Sequence, residues 1–242
     1  MAPRHQPTGA PVAQRPGPVI AAIKQLLADA FRGKGKLAAD AIRIAAFNSA
    51  QLSARQAAAL AAAMSGEPTP PVQPVIGPEA TATADAVPAA VQEEHHRALA
   101  LLTAASITAL GFAGVTGAFN RARRAVTRIA RHAAVAVTSA AAHAATAVAR
   151  AIGPTTRLLW VAEPGACPAC AAYAGRSVIA GRRFPAALSL DPRRTVFTTA
   201  PLGPPLHPHC RCWTIPYSPT WPVDGTPLPA LLRRAARTER RA

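Results

Sequence analysis

All four cysteines of this 242-residue chain lie between positions 167 and 212, as CPAC at Cys167 and Cys170 and as HPHCRC ending at Cys210 and Cys212. A spacer of 39 residues separates the two pairs, and His207 and His209 crowd the second. Unconstrained scatter rarely gives one CxxC and one CxC and nothing else. The rest of the chain reads as a frame around this knot. Three chemistries use such a cluster. A structural zinc site takes four N/S ligands tetrahedrally, and a CxxC knuckle supplies two thiolates from one turn. Cys167, Cys170, Cys210 and Cys212 are its candidate ligands, with His207 or His209 in reserve. A small knot with few large apolar side chains needs a staple of this kind. A redox CxxC is the second chemistry, but it belongs at a helix N-terminus after a strand in a βαβ unit. No parallel α/β pattern surrounds CPAC. Zinc deaminases place HxE upstream of PCxxC. HxE is absent and Ala166 precedes Cys167, so that chemistry is excluded.

The first eighteen residues, MAPRHQPTGAPVAQRPGP, are polar and proline-rich with no apolar h-region. A reducing cytosol is the expected setting, where paired cysteines bind metal or do redox work more often than they form disulfides.

Half the residues are apolar, but only 5% are aromatic, and much of the apolar half is alanine. Alanine is the best helix former and buries little area, so closely packed helices with a thin core are expected. The fold class read from this is mainly α with a small β-rich C-terminal knot, α+β overall. Charge is lopsided: of the net +16, +15 falls in residues 97–242, where every basic residue is arginine. A GC-rich coding bias explains arginine over lysine, but not the shortage of acids. Guanidinium groups bind phosphate bidentately, which favours a polyanionic partner such as double-stranded DNA.

Composition divides the chain into six parts. Residues 1–18 read as a disordered arm and 19–66 as a helical segment, with helices over Val19–Phe31 and Leu37–Met64. The proline-rich stretch 67–88 reads as an extended linker and domain boundary. Helices fill 89–153, and 154–217 holds short β-prone runs around the cysteines: 157–162, 176–180, 195–199 and 211–217. Residues 218–242 form a basic tail with a short helix, solvated or partner-bound. The uncharged run 98–120 has the length of a membrane span, which needs about 20 apolar residues. Its alanine, threonine, serine and glycine content favours a buried or interface helix, and no membrane partner is expected.

Residues 121–152 carry the clearest helical periodicity, with Val126, Ile129, Ala133, Val137, Ala140 and Ala144 on one face. Arg121, Arg124, Arg128 and Arg131 share another face. That stripe reads equally as a solvated face or as a ridge that binds DNA phosphates or an acidic partner. His132 and His143 read as packing or surface residues. Paired carboxylates, a P-loop and GxGxxG are all missing, so no catalytic residue is assigned and the enzyme case is weak.

Trp160, Cys167, Pro168, Cys170, Gly175, His207, Pro208, Cys210, Arg211 and Cys212 together form a CPxC near a tryptophan strand, a following glycine, and a closing HPxCRC. In these residues the segment from about Arg97 to Pro216 resembles the phage head morphogenesis proteins, the Mu F-like minor capsid family. The family often carries an acid shortly before the first cysteine, and Glu163 is the position available for it. The resemblance implies a minor virion protein, made in the bacterial host cytoplasm and placed inside the capsid near the portal. It would assist prohead assembly or the fate of packaged DNA, with portal, major capsid and scaffold proteins as partners. Some related phage proteins are capsid maturation proteases, which keeps that alternative open. A zinc-ribbon-like DNA-binding module is the other alternative.

Overall fold

The computed structural model describes residues 35–100, 112–221 and 227–238. The expected arm 1–18, the expected helix Val19–Phe31 and residues 101–111 of the uncharged run lie outside them. Among the described residues three long helices come first: α1 (Gly35–Ser65), α2 (Pro78–Ala100) and α3 (Phe112–Ile152). A small C-terminal region follows, built from β1 (Arg157–Val161), α4 (Pro168–Tyr173), β2 (Ser177–Ile179), β3 (Trp213–Tyr217) and α5 (Leu228–Thr238). The protein is thus mostly helical, with one small antiparallel sheet beside its clustered cysteines.

Alanine at three- and four-residue spacing makes the bundle. Ala38, Ile42, Ala46, Ala50, Ala54 and Ala57 of α1 are buried, as are Ala80, Ala84, Val87 and Val91 of α2. They meet Ile129, Ala133, Val137, Ala140, Ala144 and Val148 of α3, the apolar stripe expected from periodicity. Residues at i, i+3 and i+4 share one face, and methyl side chains there let the helices approach closely. An 18-residue window within Asn120–Ile152 is long and apolar enough to cross a membrane, with mean hydropathy 1.3, but half of it is buried within the protein.

The expected linker to residue 88 is overturned in its second half. Only 67–77 is extended; α2 begins at Pro78 and runs through Pro88. Proline is favoured at the first helical position, where its missing N–H is not needed. Gly77 O accepts from the Ala80 and Thr81 N–H groups there. Pro88 lacks the interior N–H, a defect of about 3 kcal/mol in an isolated helix. Flanking Ala84, Val87 and Val91 are buried against the other helices, and that burial offsets the defect so that α2 continues past it. Residues 67–88 therefore do not separate two bodies: Val72, Ile76 and the α2 face pack into the same core.

In the sheet β1 is central, ordered β2-β1-β3 and antiparallel to both neighbours. Arg157 pairs with Tyr217 and Val161 with Trp213. Alternation sends Leu158 and Trp160 to one face and Leu159 and Val161 to the other. The first face packs on Ala149, Tyr173, Phe184 and the cysteines. The second packs on Met64 of α1 and on Leu228 and Leu232 of α5. Three of the four expected strands form, and 195–199 does not. That stretch is a loop beside residues 184–187, its Phe197 O accepting from the Ala187 N–H at 3.0 Å. The Phe197 ring stacks on His207, with ring centroids 5.9 Å apart.

The knot also has more core than its composition suggested. Trp160, Tyr173 and Phe184 are almost completely buried and mutually packed, Trp160 stacking on Tyr173 at 4.8 Å and meeting Phe184 edge-on at 5.1 Å. The Tyr173 hydroxyl donates to Pro185 O at 2.7 Å, so its polar end is satisfied. The helical part of the basic tail is docked rather than free. Arg233 of α5 donates to Gly175 O at 2.9 Å. Gly175 has φ +66 and lies so close to Pro229 O that a Cβ would collide with it. Glycine is required at this position on both counts.

Candidate metal centre

The sheet register brings the two cysteine pairs together. CPAC follows the C-terminal end of β1 and HPHCRC leads into the N-terminal end of β3. Those ends are paired through Val161 and Trp213, so a spacer of 39 residues closes into a single site. After β1 the chain turns at Gly165, with Ala166 N–H donating to Glu163 O. Cys167 then caps α4, with Pro168 in its first turn and the Cys170 N–H directed at Cys167 Sγ over 3.4 Å. On the other side, Cys210 N–H donates to His207 O and folds HPHC into a turn that points His207 inward.

Two overlapping groups result: Cys167, Cys170 and His207, and Cys170, Cys210 and Cys212. Ligand atoms within each lie within 4.8 Å of one another. His207 Nε2 is 3.4 Å from both Cys167 Sγ and Cys170 Sγ, and Cys170 Sγ is 3.6 Å from Cys210 Sγ. Zn–S bonds of about 2.3 Å at tetrahedral angles place neighbouring sulfurs about 3.8 Å apart. The spacing and the soft donor set fit zinc. All four cysteines are free thiols, and Cys170, Cys210 and Cys212 are buried. All five expected metal-site residues, Cys167, Cys170, His207, Cys210 and Cys212, therefore converge. His209 is exposed and joins neither group.

The protons of the cluster are unevenly held. Contact with Cys170, then with His207, holds the Cys167 thiol down to about 4 against its burial. Contacts with Cys170 and Cys212 hold Cys210 down to about 3. Cys170 moves the other way, raised by its contacts with Cys167, Cys210 and Cys212. Cys212 is lowered by Cys170 but more strongly raised by Cys210 and burial, and ends pushed up to about 12. The thiolate of Cys167 raises His207 despite burial. Packed this closely, the thiols do not all ionise together unless a cation compensates them.

Sequence reasoning missed two supporting contacts. Glu163 accepts from Arg211 Nε at 2.6 Å, tying the turn before CPAC to the arginine inside HPHCRC. Burial raises the Glu163 carboxyl above its ordinary value, more than the Arg211 charge lowers it. Phe197 stacks on the His207 ring and fixes its plane. An acid shortly before the first cysteine was the one sequence signal for the first contact. CPAC sits at a helix N-terminus after a strand, but without the parallel α/β pattern that the sequence also lacked. The surrounding sheet is antiparallel and a second cysteine pair closes over it, so the likeness to a redox motif ends there.

The four arginines of the expected stripe do not share one environment. Glu94 of α2, with only 8% of its side chain exposed, reaches Arg128 at 3.6 Å and Arg121 at 3.8 Å, and also binds Arg97 at 3.1 Å. Arg121 and Arg128 thus face a buried tertiary acid that no i,i+4 inspection of α3 reveals. Arg124, Arg128 and Arg131, joined by Arg123, are exposed and line an open groove of about 450 Å³ with Asn120 and Thr127. The outer ridge is therefore Arg123, Arg124, Arg128 and Arg131, and only Arg121 of the expected four falls outside it. Compared with known protein families, curated proteins and solved structures, the chain matches none.

Proposed function

We propose that the Cys/His centre holds one structural zinc ion, and that the chain is a minor capsid protein of the head morphogenesis type. The convergence of CPAC and HPHCRC on one buried centre carries the metal reading. Cys167, Cys170, Cys210, Cys212 and His207 offer five donors for a four-coordinate ion, so one is held in reserve. Bound there, zinc supplies a cross-link between β1 and β3 and charge compensation for the thiolates.

The capsid reading rests on the sequence resemblance, whose ten matching positions include all five of these donors. The basic groove on α3 supports contact with packaged double-stranded DNA. Its arginines lie toward the end of α3 remote from the knot, which leaves the knot free to dock on portal, capsid or scaffold protein within the prohead.

Co-expression with the portal protein of the same phage or prophage tests this reading. The chain is expected to copurify with the portal. If it instead elutes alone and binds duplex DNA by itself with a steep salt slope, the zinc-ribbon-like DNA module replaces it. One contact favours the protease alternative: half-buried Cys167 lies 3.4 Å from His207, a thiol–imidazole pair of the kind that activates a nucleophile. That reading requires cleavage of co-expressed capsid or scaffold protein, abolished by Cys167→Ala.

A further inference from the structure

A second polar cluster lies away from the cysteines. On α3, Ser139, His143, Thr146 and Arg150 follow one another at spacings of four, three and four, one face of an otherwise alanine-rich helix. They line one side of an open cleft of about 400 Å³. Glu79 at the start of α2 closes one end, hydrogen-bonded to His143 Nε2 at 2.7 Å. The opposite wall is apolar, made by Pro201, Leu202, Pro204 and Pro205, with Arg183 beside it.

Two cations face this cleft uncommitted. Among the described residues, neither Arg150 nor Arg183 forms an ion pair with a carboxylate, while Glu79 is held by His143. Arg183 spends one N–H on Ala200 O at 2.7 Å, leaving the rest of its fork. The Arg150 guanidinium rests on Gly181, which has φ +89 and where any Cβ would collide with it. Glycine there opens the space that Arg150 occupies. Core packing does not require a stripe of serine, histidine, threonine and arginine.

We propose that this cleft binds a small organic oxyanion, a phosphate or carboxylate group carried on a compact apolar body. Arg150 and Arg183 hold the oxyanion with charge-assisted, forked hydrogen bonds. The His143–Glu79 pair lies about two turns back along α3, beyond Thr146, and its carboxylate repels the anion toward the arginine end. The proline wall takes the apolar body. A volume of about 400 Å³ suits such a ligand better than a bare ion, since ligand pockets span about 300–1,000 Å³. The wall also runs directly into His207, so an occupied cleft stiffens the segment that carries a metal-site residue.

Calorimetric titration of the full-length protein tests the site, with phenyl phosphate, benzoate, benzyl alcohol and inorganic phosphate as probes. At least one of the two aromatic anions is expected to bind saturably, about tenfold or more tighter than benzyl alcohol or inorganic phosphate. The tighter of the two assigns the oxyanion. Arg183→Gln, at an exposed position, weakens that binding about tenfold, as does Arg150→Gln. Arg123→Gln/Arg124→Gln, in the remote groove, leaves it unchanged. An unaltered affinity in Arg183→Gln with its melting transition intact overturns the proposal. So does an equal loss in the remote variant, or no saturable binding of either anion.

Discussion

In the helical bundle 13 of the 19 described buried core residues are alanine, whereas the knot buries Trp160, Tyr173, Phe184 and three cysteines in a far smaller volume. The two regions differ in how their stability is distributed. Each alanine removes little apolar surface from water, so the bundle is held by many weak contacts along helices of 31, 23 and 41 residues. The knot has short strands and long loops, and concentrates its stability in three rings and one ligand cluster. Losing one contact should thin the bundle but dismantle the knot.

Changing Cys170 is the most severe way to press that contrast, because this residue belongs to both ligand groups. Cys170→Ser is expected to lose the metal and unfold the knot, seen as a red shift and quenching of tryptophan fluorescence. The helical circular dichroism of the bundle should persist; its collapse would show that the two regions are not separable. Acid should act in the same direction. Ligation needs thiolates, and Cys170 and Cys212 are the two that hold their protons most strongly. Metal affinity therefore falls as pH falls, which chelator competition across a pH series measures.

Trp160→Ala should cost about 3–5 kcal/mol, read from the denaturant midpoint followed by the remaining fluorescence. Ala140→Leu probes the other region, where an added side chain has no room between helices; about 1–3 kcal/mol is expected, with metal content unchanged. The smallest effect belongs to Glu163→Gln. Its partner Arg211 is 51% exposed, so the pair contributes about 0–1 kcal/mol to stability. Its consequence should appear instead as faster extraction of metal by chelator, since the pair ties the two cysteine turns together. An extraction rate equal to that of the unaltered protein would make Glu163 a bystander.

Much of this was legible in the residues. The span of α1 follows from hydrophobic spacing ended by Ser65-Gly66, and the stripe through Ile129, Val137 and Ala144 from the same rule. The cysteine spacing pointed to one centre because so few side chains do that chemistry. What escaped depends on tertiary partners. Pro88 reads as a helix breaker until Ala84, Val87 and Val91 are seen buried around it. The 195–199 run has strand propensity, but its Phe197 O is bonded to the Ala187 N–H rather than to either open edge of the sheet. Arg121 and Arg128 read as a solvated face until Glu94 arrives from another helix. His207 and His209 are equivalent on paper, and only the HPHC turn and the Phe197 ring distinguish them.

The most direct test of the zinc-stapled knot is the metal content of reduced protein purified without added zinc. Close to one equivalent of zinc per chain is expected, with the four thiols slow to react until a chelator removes it and the tryptophan fluorescence shifts in step. Less than about half an equivalent, with all four thiols titrating at once and the knot still folded, would contradict the staple.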